Sequence, residues 1–295
     1  MRLGAAGRSG AAGSGRPPSP LAERWTTLNG VDVFYRESGG PGTGTVMVHL
    51  HGFGLSGRYL LPTAERLSGD FHTFVPDLPG FGRSGKVRGK LDVPDLARAA
   101  AAFLDDRGIE RASLVGNSMG CPVICEFAYQ YPDRIDRAIL VSPAGGRQNQ
   151  PLPRAMGQIA QDAFREPPRL FPVVVPDYLR FGVTSTRQLF HSLTRYPALQ
   201  RLLDLQVPTL AVVGSHDPLM PGPQRTLEVA RQTGEHVSIV VIDGAAHAIN
   251  FSHPGELANV IRQFMTDRPI VDDPDSPGRA FVAEIHRGMD LPSYG

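Results

Sequence analysis

Ala112-Ser113-Leu114-Val115-Gly116-Asn117-Ser118-Met119-Gly120-Cys121-Pro122 is the stretch on which the fold is read. Ala112 to Val115 is a short apolar run of strand character. The pattern then turns helical from Met119 to Tyr131, with Pro122 in its first turn and Pro132 as its stop. Between them, Gly116-Asn117-Ser118-Met119-Gly120 fits the pattern G-x-S-x-G. A chain reversing this sharply from strand to helix needs small residues on either side and holds the serine in a strained backbone conformation. Ser118 then projects its hydroxyl at a helix N-terminus, where backbone N–H groups and the helix dipole favour a developing negative charge.

Working outward, strands and helices alternate. Trp25 to Leu28 and Val31 to Arg36 flank Asn29-Gly30, a hairpin signal. Thr45 to Leu50 is an apolar run broken by His51-Gly52-Phe53-Gly54. Phe71 to Val75 is another, ended by Pro76 and the glycine-rich Asp77-Leu78-Pro79-Gly80-Phe81-Gly82. Val93 to Arg107 has helical spacing, and Arg137 to Val141 reads as a strand. After a break, Thr209 to Val213 and Ser238 to Ile242 resume as strands, with helices over 223–232 and 254–265. This alternation predicts an α/β fold, a mostly parallel sheet with helices on both faces.

The break, 145–206, is rich in Pro, Arg and Leu and reads as short helices over 152–164, 169–181 and 185–196. The organisation expected is therefore a disordered N-terminal arm over 1–22, a body formed by 23–144 and 207–267, an inserted helical segment over 145–206, and a tail over 268–295. The tail is polar with scattered prolines, although 281–285 is apolar enough to dock on the body.

A serine hydroxyl needs a base, and a histidine base needs an acid that fixes its tautomer. Of the histidines after Ser118, His247 follows the run Ile239 to Ile242 and the small residues Gly244-Ala245-Ala246. That puts it in a loop at the carboxyl end of a strand, where open α/β sheets place their sites. Asp217 follows the strand before it and is the favoured acid; Asp243 is the alternative. No carboxylate follows Val141-Ser142-Pro143, the other position from which an acid could come. The oxyanion formed in acyl transfer calls for two N–H donors: the backbone of Met119, after the nucleophile, and that of Phe53 in the loop after the early strand.

These residues together resemble the α/β-hydrolase family over roughly Trp25 to Thr266. His51-Gly52-Phe53-Gly54, Asp77 to Ser84, Gly116 to Gly120, and the pair Asp217 and His247 occur in that family's order. The resemblance implies that the insertion is a helical cap over the substrate pocket, with Tyr178, Phe181 and Phe190 as candidate lining residues. It implies a serine hydrolase of a small or medium apolar carboxylic ester, lactone or thioester, working without a cofactor or metal. The Asn-Ser-Met-Gly string is also similar to that of hydrolases cleaving carbon–carbon bonds in meta-cleavage products. Those carry a tryptophan after the catalytic histidine, where this chain reads His247-Ala248-Ile249-Asn250-Phe251. Arg187 and Arg195 are the charge partners such a substrate would find in the insertion. A non-catalytic binding module on the same fold is the third reading.

Composition limits the partners. Thirty basic and 29 acidic side chains nearly cancel to a net charge of +1, so no strong overall field draws nucleic acid or an anionic membrane. Cys121 and Cys125 lie one helical turn apart, a poor geometry for a disulfide. No run reaches the ~18 apolar residues of a membrane helix, and the first twenty residues lack a signal-peptide core. The expectation is a soluble cytoplasmic protein that binds a small molecule, without membrane or nucleic-acid partners.

Overall fold

The computed structural model describes residues 19–40, 44–87, 89, 91–143, 149–220, 232–233 and 236–271, and the backbone of 282–284. Nine strands form one sheet. They are β1 (Leu21–Leu28), β2 (Val31–Ser38), β3 (Val46–Leu50), β4 (His72–Pro76), β5 (Ala112–Asn117), β6 (Ile135–Val141), β7 (Thr209–Gly214), β8 (Val237–Ile242) and β9 (Val282–Glu284). Their spatial order is β1-β2-β4-β3-β5-β6-β7-β8-β9. The run from β4 through β3 to β8 is parallel. β1 and β2 pair antiparallel at one edge, and β9 pairs antiparallel with β8 at the other.

β5 and β7 bury every residue. A central parallel strand has helices on both faces, so it reads as a continuous apolar run instead of an alternation. On one face, α2 (Val93–Asp106) and α3 (Gly120–Gln130) supply Leu96, Phe103, Ile124 and Phe127 to an apolar cluster. On the other, α1 (Leu61–Leu67) and α9 (Pro254–Met265) pack Leu67, Leu257 and Ile261 against Val212 and Val240. A single turn, α8 (Ile249–Ser252), precedes α9.

Between β6 and β7 the structure places α4 (Leu152–Ala163), α5 (Phe171–Phe181), α6 (Val183–Arg195) and α7 (Ala198–Leu203). The sequence pattern suggested an interruption of α5 at Pro172 and Pro176, but the helix runs through. Pro172 falls in the first turn, where no helical donor is needed, and Pro176 forfeits a single bond. α7 has no counterpart in the sequence reading.

One expectation about the ends changes: the body begins at Leu21, not at 23, because Leu21 is buried and pairs with Ser38 across the hairpin. In the tail, Val282–Glu284, within the stretch 281–285 read as able to dock, adds an edge strand to β8. The arm over 1–18, all but the last residue of the helix expected at 223–232, and the rest of the tail beyond 271 lie outside the described residues.

Candidate active site

Ser118 sits between β5 and α3 with φ +55°, the left-handed region that costs a non-glycine residue conformational energy. The turn closes this tightly because Gly116 and Gly120 have no side chains. A Cβ on Gly116 would lie 2.6 Å from the Gly120 carbonyl carbon, and one on Gly120 would lie 2.4 Å from the Leu50 oxygen. The strained serine is held by its own N–H, which donates to the Val141 carbonyl at 2.9 Å. Cys121 and Cys125 are free thiols buried behind the turn, and burial pushes both of their pKa values up.

The loops after β7 and β8 are tied to each other. The His216 N–H donates to the Ala245 carbonyl at 3.0 Å, and the Ser215 N–H donates to that of Ile242 at 3.1 Å. This brings Asp217 Oδ2 to 2.7 Å from His247 Nδ1, while the other Asp217 oxygen accepts the Leu219 N–H at 2.9 Å. Asp243 is engaged elsewhere: it accepts the Ser215 hydroxyl at 2.8 Å, and that hydroxyl accepts the Gly244 N–H. The choice between the two acids falls to Asp217 on geometry.

Burial alone would raise the pKa of Asp217 and lower that of His247. The attraction between the two outweighs it, so the carboxyl is held below its ordinary range and the imidazole above its own. Asp162 and Glu166 add to the second effect. Both come from the insertion, and their roles were not foreseen. Asp162 Oδ1 accepts the His247 N–H at 3.0 Å, and Glu166 Oε1 accepts the Ala248 N–H at 2.5 Å. Burial pushes Glu166 up to about 7, and Asp162 is raised for the same reason. Asp177 makes a third tie of this kind, accepting the Ser56 N–H at 3.0 Å and its hydroxyl at 2.5 Å.

A hydrogen-bond chain crosses the floor of the site. The Tyr59 hydroxyl accepts the Gly52 N–H at 2.8 Å and donates to Asn117 Oδ1 at 2.7 Å. Asn117 Nδ2 donates in turn to the His247 carbonyl at 3.2 Å. One asparagine beside the serine thus couples the loop after β3, the turn that carries Ser118 and the histidine loop. His51 is structural: it is fully buried and neutral, accepting the Leu78 N–H at Nε2 and donating from Nδ1 to the Gly52 carbonyl.

Ser118, His247, Phe53 and Met119 border one cavity of about 300 Å³, whose wall is mostly apolar and comes largely from the insertion. Tyr178 and Phe190 line it. Phe181, expected beside them, does not. It stacks on Phe81 with ring centroids 4.7 Å apart and meets Phe53 edge to face at 5.7 Å, so it anchors the insertion behind the loop after β3. Arg187 and Arg195, the candidate charge partners for a dienolate, are exposed and absent from the lining. Among the described lining residues the only carboxyl and imidazole groups are those of Asp162, Glu166 and His247. Among the described residues, no protein acceptor takes the N–H of Phe53 or of Met119.

Residues 47–260 match the model of the alpha/beta hydrolase family. The chain is 28% identical over 251 residues to a pimeloyl-[acyl-carrier protein] methyl ester esterase of Aeromonas salmonicida, covering 76% of this chain and 96% of that protein. It is 36% identical over 120 residues to a 2-hydroxy-6-oxo-6-phenylhexa-2,4-dienoate hydrolase of Comamonas testosteroni, covering 38% of this chain and 40% of that one. In three dimensions it is similar to a thermophilic esterase of Thermogutta terrifontis, with a TM-score of 0.70 at 22% identity, covering 83% of this chain and 98% of that structure.

Proposed function

We propose, from the premise that this chain belongs to the alpha/beta hydrolase family, that it is a serine esterase of small or medium apolar carboxylic esters, lactones or thioesters. Ser118 attacks the carbonyl carbon and forms an acyl-enzyme. His247 takes the serine proton, passes it to the leaving group and then activates water for deacylation. Asp217 holds the imidazole with Nδ1 protonated and stabilises the imidazolium. The Phe53 and Met119 N–H groups receive the oxyanion, a role supported by the absence, among the described residues, of any protein acceptor for them. The insertion acts as the cap that closes the pocket.

The observation that carries this reading is the 2.7 Å contact between His247 and Asp217 at the edge of the same apolar cavity that Ser118 borders. A fluorophosphonate probe tests it. Labelling is expected on Ser118 and lost in Ser118→Ala, together with hydrolysis of a short p-nitrophenyl ester. Labelling at another residue would reject the nucleophile.

The carbon–carbon reading draws on the partial similarity to the dienoate hydrolase. The cavity speaks against it, since a dienolate would meet Asp162 and Glu166 and, besides His247, no cationic side chain among the described lining residues. Comparing kcat/KM for the ester and for a ring-fission dienoate on one preparation separates the two. A dienoate value above the ester value would promote the carbon–carbon reaction.

A further inference from the structure

Among the described residues, large apolar side chains that face water are concentrated on the insertion. Twelve are exposed in all, and Met156, Phe164, Phe171, Val175, Tyr178, Leu179, Val183 and Leu199 make eight of them. They are not scattered. Phe171, Val175 and Leu179 recur every four residues of α5, which sets them on one face of that helix, and Val183 continues the spacing into α6. Three that do not line the cavity project most, with Phe164 at 92%, Leu179 at 78% and Val183 at 86% of their surface in solvent. Exposed apolar surface in a contiguous group marks a contact surface.

The charges of the insertion are sorted as well. The described part of the insertion, 149–206, holds seven arginines and four acids. Three of the acids are the ones already described: Asp162, Glu166 and Asp177 turn to the body and accept backbone N–H groups there. The fourth, Asp204, is exposed just after α7, where the chain returns to the body. Arg154, Arg165, Arg169, Arg180, Arg187 and Arg195 are exposed; Arg165 and Arg180 also donate to the His216 and Gly82 carbonyls, and Arg169 lies over the Phe251 ring. Asp204 apart, every exposed charge of the insertion is therefore positive. The near-zero charge of the whole chain conceals this separation.

We propose that the outer face of the insertion docks on a lipid surface that carries anionic headgroups. Apolar side chains on a stretch whose exposed charges are six arginines against one carboxylate suit the headgroup–acyl boundary: the apolar tips enter it while the arginines stay at headgroup level. No helix of the described residues is long and apolar enough to cross a membrane, so the contact is peripheral. The apolar face is also continuous with the cavity, because Met156, Phe171, Val175 and Tyr178 belong to both the exposed set and the cavity wall. An apolar molecule leaving the lipid would enter the cavity without crossing water. Docking itself does not depend on the esterase reading, because it requires no turnover.

The test is sedimentation of the full chain with vesicles of phosphatidylcholine alone and of equal parts phosphatidylcholine and phosphatidylglycerol. Binding is expected to the anionic vesicles, weakening with added salt as the arginine contribution is screened. Leu179 and Val183 lie outside the cavity wall, so Leu179→Glu with Val183→Glu should lower the partition coefficient by about tenfold or more. The same variant should leave kcat/KM for a dissolved short ester unchanged, which also establishes that it is folded. Arg154→Glu with Arg187→Glu should remove the preference for anionic vesicles. Failure of the unaltered chain to bind either vesicle, or binding by the Leu179→Glu, Val183→Glu variant equal to it, overturns the proposal. So would light scattering showing a dimer that this variant dissociates, or capture of an acidic protein by this face without vesicle binding.

Discussion

In the sheet-forming body, β5 and β7 enclose every side chain, and apolar clusters fill both faces of the sheet. In the insertion, α4 buries only Ala155, while Phe164, Leu179 and Val183 stand in solvent. The body is held mainly by removing apolar surface from water. The insertion shares in that burial through Leu189, Leu193 and Leu205, which join the cluster of α2 and α3, and adds contacts of another kind: the Phe181 stack on Phe81, and the carboxylates of Asp162, Glu166 and Asp177 accepting N–H groups from loops of the candidate site. A region attached in this way reports to the site it touches. The Asp162 and Glu166 ties end on the histidine loop itself, so the charge state of the insertion bears on the base.

The largest expected effect lies in the body. Ser118→Ala should lower turnover by roughly 10⁴ to 10⁶ while leaving the melting temperature unchanged. More than a tenth of the original activity remaining would remove Ser118 from the chemistry. Next, Asp217→Asn should cost roughly 10³- to 10⁴-fold in kcat, because the imidazolium loses its partner and Nδ1 its orienting acceptor. Asp243→Asn should cost little, since Asp243 bonds Ser215 of the loop after β7 and not the imidazole. Reversal of these two results would move the acid to Asp243.

A smaller effect tests whether the insertion speaks to the base. His247 must be neutral to accept the serine proton, and its pKa is raised above the ordinary 6.5 by Asp217, with Asp162 and Glu166 adding. The acid limb of kcat/KM should therefore have its midpoint above 6.5, with activity rising as pH rises through it. Asp162→Asn removes one of the negative charges and should move that midpoint down by a fraction of a pH unit. An unmoved limb would mean that Asp162 does no more than hold the loop.

The smallest effect is on stability. The Glu166 pKa is raised from 4.5 to about 7, so folding favours its protonated form. That contribution is complete below pH 4.5 and is lost as pH rises through about 7. Glu166→Gln keeps the oxygen that accepts the Ala248 N–H and has no charge to bury. Above pH 7 the variant should melt a few degrees higher than the parent, the gap closing in acid. Equal melting temperatures at pH 8 and pH 5 would show that Glu166 is solvated enough to ionise freely.

The elbow, the alternation of strands and helices, and the chain order of serine, acid and histidine were legible because each is local. A strand, a tight turn and a helix start are written in neighbouring residues, and Gly116 and Gly120 announce the close approach the turn requires. Asp217 could be preferred to Asp243 from its place after β7, but only the bond between the loops after β7 and β8 settles which carboxylate reaches the imidazole. Tyr59 lies 58 residues from Asn117 and gave no local sign of its role. Asp162 and Glu166 are four residues apart and so share a side of the chain, but nothing in their spacing says that this side meets the histidine loop. Phe181 was read as lining and proved an anchor, because an aromatic residue in an amphipathic helix looks the same whether it faces a cavity or a neighbouring ring.

By itself the sequence determined the fold class and singled out Ser118 and His247 as the candidate nucleophile and base, since these readings depend on short-range periodicity and on residues a few positions apart. Only the tertiary structure decided which acid pairs with His247, which side chains border the cavity, and that three of the insertion's four carboxylates turn inward while six of its arginines and eight large apolar side chains are exposed. Composition counts charges without placing them. A net charge of +1 is compatible with an evenly mixed surface and with a segregated one, and the packing of the helices onto the body makes it segregated.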